Sequence, residues 1–245
     1  MNDLMPPETV VRLDDPQSGL RGFIVLHSTA LGPAAGGCRL WRYADEAAAS
    51  EDALRLAAGM TMKNALAGLP LGGGKAVLML PDAPFSRTRL FEAFGRAVAA
   101  LDGRYVTAED VGTGVGDMAV VAESTAHVAG LPPRGERAGG DPSPWTARGV
   151  FRAMAFAVER RLGRSLSEVT VAVQGVGHVG MALCELLHDA GARLVIAEPR
   201  SELAARAATR FGADLVSSRV IAAVPADVFA PCALGGVLDR VSVAN

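Results

Sequence analysis

The sequence predicts an α/β protein of two domains. Three observations carry the prediction. Apolar runs of strand length alternate with helical patterns along the 245 residues, the order that builds sheets covered by helices. A stretch dense in proline and glycine, Gly135 to Pro144, breaks that order and marks a boundary between residues 1–138 and 139–245. Beyond it, a β-branched run leads into a glycine-rich turn, a helix and a second strand. Composition agrees: half of the residues are hydrophobic and 5% aromatic, with alanine, valine, leucine and glycine dominant.

Several classes fall away at once. The net charge of −2, with acids and bases interspersed, is no nucleic-acid footprint. Cys38, Cys184 and Cys232 are too few and too scattered for a disulfide framework or a zinc site; they suit reduced, buried positions in a cytoplasmic protein. The first residues lack the basic and apolar regions of a signal peptide. The apolar tract from Val220 to Leu238 is broken by Pro225, Asp227 and Pro231 and is no membrane span.

In the first half, Thr9–Leu13 and Gly22–Ser28 read as strands joined by a turn over Asp14–Gly19. Gly32–Trp41 is an extended segment whose small residues leave room for packing or for a ligand. From Asp45 to Ala67 the pattern is helical, with an apolar stripe through Ala53, Leu54, Leu56, Ala57 and Met60 and with Glu46, Glu51, Asp52 and Arg55 elsewhere. The window Thr61–Lys75 then holds two lysines among uncharged residues. Lys63 ends the helix, and Lys75 follows three glycines at the mouth of a turn before the strand Lys75–Leu80. Either both lysines are solvated in a tight turn, or desolvation lowers the pKa of Lys75 and makes it a base near neutral pH. A helix over Arg87–Leu101 follows, then a short strand ending in Glu109, Asp110 and Gly112. Acids at the carboxyl end of a strand are placed where α/β proteins build sites; adjacent ones point to opposite faces, so at most one serves a shared cleft.

In the second half a helix runs from about Trp145 to Leu162. Val169–Gln174 reads as a buried parallel strand. Gly175-Val176-Gly177-His178-Val179-Gly180 is a G-x-G-x-x-G, followed by a helix and by the strand Arg193–Ala197, which ends in Glu198. Glu198 lies 18 residues past Gly180, close to the spacing of about 20 expected of a dinucleotide site. The glycines would let a pyrophosphate sit on the helix N-terminus, with His178 a structural member of the loop. Glu198 would bind ribose hydroxyls and repel a 2′-phosphate, favouring NAD; the neighbouring Arg200 counts against that preference. A helix over Ser201–Phe211 and short strands near Leu215 and Val228 complete the second domain.

Gly32–Arg39, Glu51–Gly68, Leu71–Lys75, Thr107–Gly112, Gly140–Gly149, Val173–Gly180 and Phe229–Ala233 together resemble the Glu/Leu/Phe/Val dehydrogenase family, most of all its leucine dehydrogenase branch. The resemblance implies an N-terminal α/β substrate and oligomerisation domain and a Rossmann-type NAD-binding domain. It implies that Lys75 is the base that activates water, that Lys63 holds the substrate carboxylate, and that Asp110 exchanges protons with the amino group. Gly36 and Gly37 would line the amino-acid cleft, and Thr146 would lie near the nicotinamide carboxamide. The implied reaction is NAD-dependent, reversible oxidative deamination of a branched-chain or aromatic L-amino acid by a cytoplasmic homo-oligomer, without metal, nucleic acid or membrane. Members of the family continue beyond Gly236, so the resemblance also implies a dinucleotide domain lacking its second half. A second reading stays open: a non-catalytic member that keeps partial dinucleotide or subunit binding.

Overall fold

The structure, a computed structural model, describes residues 5–133, 139–235 and 237–238; part of the predicted linker, residues 135–138, lies outside them. The chain falls into two compact units, Met1–Asp141 and Pro142–Asn245, and the architecture is α/β as the sequence predicts.

The first unit is built on five strands: β1 (Thr9–Asp15), β2 (Leu20–Ser28), β3 (Ala34–Trp41), β4 (Gly72–Met79) and β5 (Tyr105–Glu109), in the order β1-β2-β4-β3-β5. The β1–β2 pair is an antiparallel hairpin, and β2 also runs antiparallel to β4. β3 is parallel to both β4 and β5, so helices carry the connections: α1 (Glu46–Leu66) from β3 to β4 and α2 (Arg87–Ala99) from β4 to β5. The Asp45 side chain caps α1 by accepting from the Ala48 N–H at 2.8 Å. Ala49, Ala53 and Ala57 of α1 pack on Phe23, Val25 and Val77. The other face of the sheet buries Ile24, Leu26, Ala76 and Leu78 with Leu90, Phe91 and Phe94 of α2 and with Met118 and Val121 of α3 (Val115–Val121).

One expectation is corrected here. The three glycines before Lys75 do not form a turn; they open the buried strand β4, which begins at Gly72. The reason is the closeness of α1. A Cβ on Gly73 would collide with the backbone nitrogen of Thr61, and the Asn64 side-chain amide donates to the Gly72 carbonyl at 2.5 Å. Glycine inside a strand marks such an approach.

The second unit has a four-stranded parallel sheet of β6 (Thr170–Gln174), β7 (Arg193–Ala197), β8 (Asp214–Leu215) and β9 (Val228–Pro231), in the order β8-β7-β6-β9. Val171, Val173, Leu194 and Ile196 share one core with Met154 and Val158 of α4 (Ser143–Leu162), Leu183 and Leu187 of α5 (His178–Asp189), and Ala207 and Phe211 of α6 (Ser201–Phe211). α4 starts two residues before the predicted Trp145. Pro144 is tolerated in its first turn because an N–H there has no helical partner. α5 starts inside the glycine motif, at His178. Among the described residues no helix is long and apolar enough to cross a membrane.

Candidate functional site

Alternation along the strands of the first unit decides which groups meet. Lys75, Val77 and Met79 point to the α1 side of the sheet, opposite Gly74, Ala76 and Leu78. Lys75 is 4% exposed and its ammonium lies 2.9 Å from Asp110 Oδ2. The same oxygen accepts from Arg39 Nε at 2.9 Å. The Asp110 backbone N–H donates to Thr113 Oγ1 at 2.9 Å, and that hydroxyl donates to the Cys38 carbonyl at 2.8 Å, which ties the loop after β5 to β3. Glu109 goes the other way, toward Gly114 and Gly130, as two adjacent acids must.

The electrostatics follow from burial. Desolvation pushes the Lys75 pKa below the usual lysine value; Asp110 opposes that shift and Arg39 adds to it. Burial alone would raise Asp110, but the Lys75 and Arg39 cations outweigh it and hold the carboxyl below its ordinary range. The site therefore places an ionised carboxylate against an amine whose charged form is disfavoured.

Other predicted residues of this unit are less gathered. Gly37 abuts Asp110: a Cβ there would come within 2.8 Å of the Asp110 Cβ. Gly36 has a packing reason of its own, since a Cβ would collide with the Gly74 carbonyl, and its own carbonyl accepts from the buried Tyr105 hydroxyl at 2.8 Å. Lys63 is exposed on the last turn of α1 and, among the described residues, forms no ion pair.

In the second unit Gly175 takes φ +88°, a left-handed conformation that favours glycine. Gly180 lies against the strand turn, where a Cβ would collide with the Gly175 carbonyl. Gly177 is the N-cap of α5, with His178 and Val179 in the first turn behind it. A Cβ on Gly177 would meet only the tip of the Arg200 guanidinium, at 3.9 Å, so the loop is open where a phosphate would sit. The second unit thus fits a dinucleotide. Glu198 stands at the end of β7, as predicted, but it is already engaged. Its Oε2 accepts from the Val176 N–H at 3.0 Å, and its Oε1 accepts from Arg200 Nε at 2.7 Å. The Arg200 hydrogen bonds, then the Val176 amide, bring its pKa down to about 2. Thr146 is exposed in the first turn of α4, its hydroxyl donating to the Pro142 carbonyl at 3.1 Å.

Two family models match the chain. The Glu/Leu/Phe/Val dehydrogenase dimerisation domain matches residues 7–127, and Glutamate/Leucine/Phenylalanine/Valine dehydrogenase matches residues 141–201. Valine dehydrogenase of Streptomyces virginiae is 46% identical over 240 residues, covering 96% of this chain and 67% of that protein. The chain belongs to the Glu/Leu/Phe/Val dehydrogenase family. Leucine dehydrogenase of Geobacillus stearothermophilus is 48% identical over 233 residues, 95% of this chain, and the chain spans 63% of that protein's length. Among solved structures, L-tryptophan dehydrogenase from Nostoc punctiforme superposes with a TM-score of 0.67 at 36% identity, over 97% of this chain and 67% of that one.

Arg39 and Asp52 are the residues that sequence reasoning left without a role. Arg39 Nη1 lies 2.8 Å from Asp52 Oδ2, and the same oxygen accepts from the Tyr43 hydroxyl at 2.7 Å. A signal existed: an arginine inside the small, apolar strand Ala34–Leu40 needs a buried partner.

Proposed function

We propose that this chain is an NAD-dependent amino acid dehydrogenase, carrying out the reversible oxidative deamination of a branched-chain or aromatic L-amino acid to the 2-oxo acid and ammonia. The observation that carries the reading is the buried Lys75–Asp110 pair on a chain of this family. Lys63, exposed and without an ion-pair partner among the described residues, offers a cation for the substrate carboxylate, and Gly36 and Gly37 would line the amino-acid cleft, Gly37 against Asp110. Asp110, ionised, takes a proton from the substrate ammonium. Bound NAD supplies the hydride acceptor for the substrate Cα. Lys75, as a neutral amine, removes a proton from the water that adds to the imino carbon, and ammonia leaves. The neutral fraction of Lys75 grows with pH, so deamination speeds up as pH rises through its lowered pKa.

The dinucleotide would lie along residues 139–245 and the amino acid along residues 1–138. Gly175, Gly177, His178, Val179 and Gly180 would receive the pyrophosphate, and Thr146 the carboxamide side. Glu198 would accept from the adenosine ribose once the Arg200 guanidinium gives way, which favours NAD over NADP. The dimerisation-domain match over residues 7–127 supports a homo-oligomer, and three free cysteines suit the cytoplasm.

The test is NADH production by the purified chain with NAD and a panel of L-amino acids at alkaline pH. Turnover with leucine, valine or an aromatic amino acid establishes the enzyme and names its substrate. No turnover, with NAD binding still measurable by calorimetry, favours the non-catalytic reading.

A further inference from the structure

Of the 24 lysine and arginine residues in the sequence, only Lys63 and Lys75 are lysine. Wherever else this chain needs a basic side chain it uses arginine, which does not lose its proton in a protein. One arginine, Arg39, is built directly into the Lys75 site. Its side chain is 10% exposed and forks between two carboxylates: Nε to Asp110 Oδ2 at 2.9 Å and Nη1 to Asp52 Oδ2 at 2.8 Å. Asp52 is in turn fixed on α1 by the Tyr43 hydroxyl at 2.7 Å and by Arg55 Nη2 at 2.6 Å.

We propose that Arg39 is a positioning residue for the reaction: anchored on Asp52, it holds the Asp110 carboxylate at Lys75 and takes up part of that carboxylate's charge, which leaves Lys75 able to shed its proton. This rests on the roles given above to Lys75 and Asp110. A buried lysine paired with one carboxylate alone is stabilised as an ammonium ion, because an opposite charge nearby favours the charged form. A second cation on the same oxygen, Oδ2, competes for that charge. It also repels the ammonium directly. Arginine suits the task and lysine does not, since a planar fork can reach two carboxylates on different elements while an ammonium acts as a point charge.

The groups that act on Lys75 can be named. Asp110 comes from the end of β5, and Arg39 and the Cys38 thiol from β3. Burial pushes the Cys38 thiol far up, so it stays neutral. Asp52 of α1 acts through Arg39. His27 of β2 is occupied elsewhere, with Nδ1 at 2.9 Å from Thr61 Oγ1 and Nε2 at 3.0 Å from the Met5 carbonyl. Arg39 is therefore the one cation set to oppose Asp110 among the groups facing the lysine in the described residues.

The two-lysine composition makes a direct test possible. Protein labelled with 15N and 13C in lysine alone gives two side-chain signals, and Lys63→Arg assigns the Lys75 signal. Its titration midpoint is then read in the wild type and in Arg39→Gln. The expected result is a midpoint raised by about one pH unit in Arg39→Gln, a tenfold gain in proton affinity. If Arg39→Gln does not fold, Arg39→Met, which keeps the apolar stem, takes its place with the same expectation. A midpoint that is unmoved or lowered in a folded variant overturns the proposal. The measurement uses neither substrate nor coenzyme. Failure here leaves the dehydrogenase reading standing, and a chain without turnover can still show the shift.

Discussion

In the first unit the candidate site is made of side-chain charge largely withdrawn from water: Lys75, Asp110 and Arg39, with Asp52 behind them. In the second it is made of backbone, turned tightly at the buried Gly175 and left open at Gly177, where no side chain stands, with a carboxylate, Glu198, at its edge. The difference sets what each can tolerate. A buried charge network fails when one partner is removed, because the remaining charges stay desolvated. A glycine loop fails when anything is added.

Substitutions can break or sharpen that contrast. The largest effect on stability is expected from Gly73→Ala. Its Cβ has no room between β4 and the Thr61 backbone, so α1 must move away from the strand that carries Lys75. Overpacking of this kind costs about 2–3 kcal/mol, read as a lowered urea midpoint. A midpoint equal to that of the wild type would mean that α1 and β4 are less tightly joined than described. Next is Gly177→Ala, where a Cβ enters open space and φ is negative, so thermal stability should stay close to wild type. NAD affinity, measured by calorimetry, should fall about tenfold, or roughly 1.4 kcal/mol, because the methyl occupies the phosphate position. Unchanged affinity would remove Gly177 from the cofactor site. The smallest effect is expected from Glu198→Gln. The folded-state pKa of about 2 lies below the unfolded value, so the ionised carboxylate stabilises the fold above the unfolded pKa, and the gain disappears as pH falls through about 2. The variant should lose about 1 kcal/mol near pH 7, the upper range for an ion pair with one exposed partner, and progressively less as pH falls toward and below about 2. A loss that persists at low pH would assign the effect to packing instead.

The contrast also explains what could be read from the sequence. The glycine loop was legible because its strand, turn, helix, second strand and terminal acid follow one another from Val169 to Glu198, so that spacing alone reports the local geometry. The fold class was legible for the same reason. The charged network was legible only in part, since the family resemblance joined Lys75 and Asp110 but left Arg39 and Asp52 without a role. Arg39, Asp52, Lys75 and Asp110 are brought together by strand order, with β3 placed between β4 and β5, and no spacing in the sequence encodes that order. Asp52 was placed only as a residue off the apolar stripe of α1, because periodicity separates apolar from polar residues but does not show which polar residues meet a buried partner. The glycines before Lys75 looked like a turn because a run of glycine carries no information about the helix lying against it.

The central claim is that proton transfer belongs to the first unit and cofactor binding to the second. Lys75→Ala tests it most directly, with turnover and NAD affinity measured on one preparation. The account predicts turnover reduced by about 10³- to 10⁴-fold, the range for loss of a general base, and an NAD dissociation constant equal to that of the wild type. Retained turnover, or loss of NAD affinity along with activity, would contradict it.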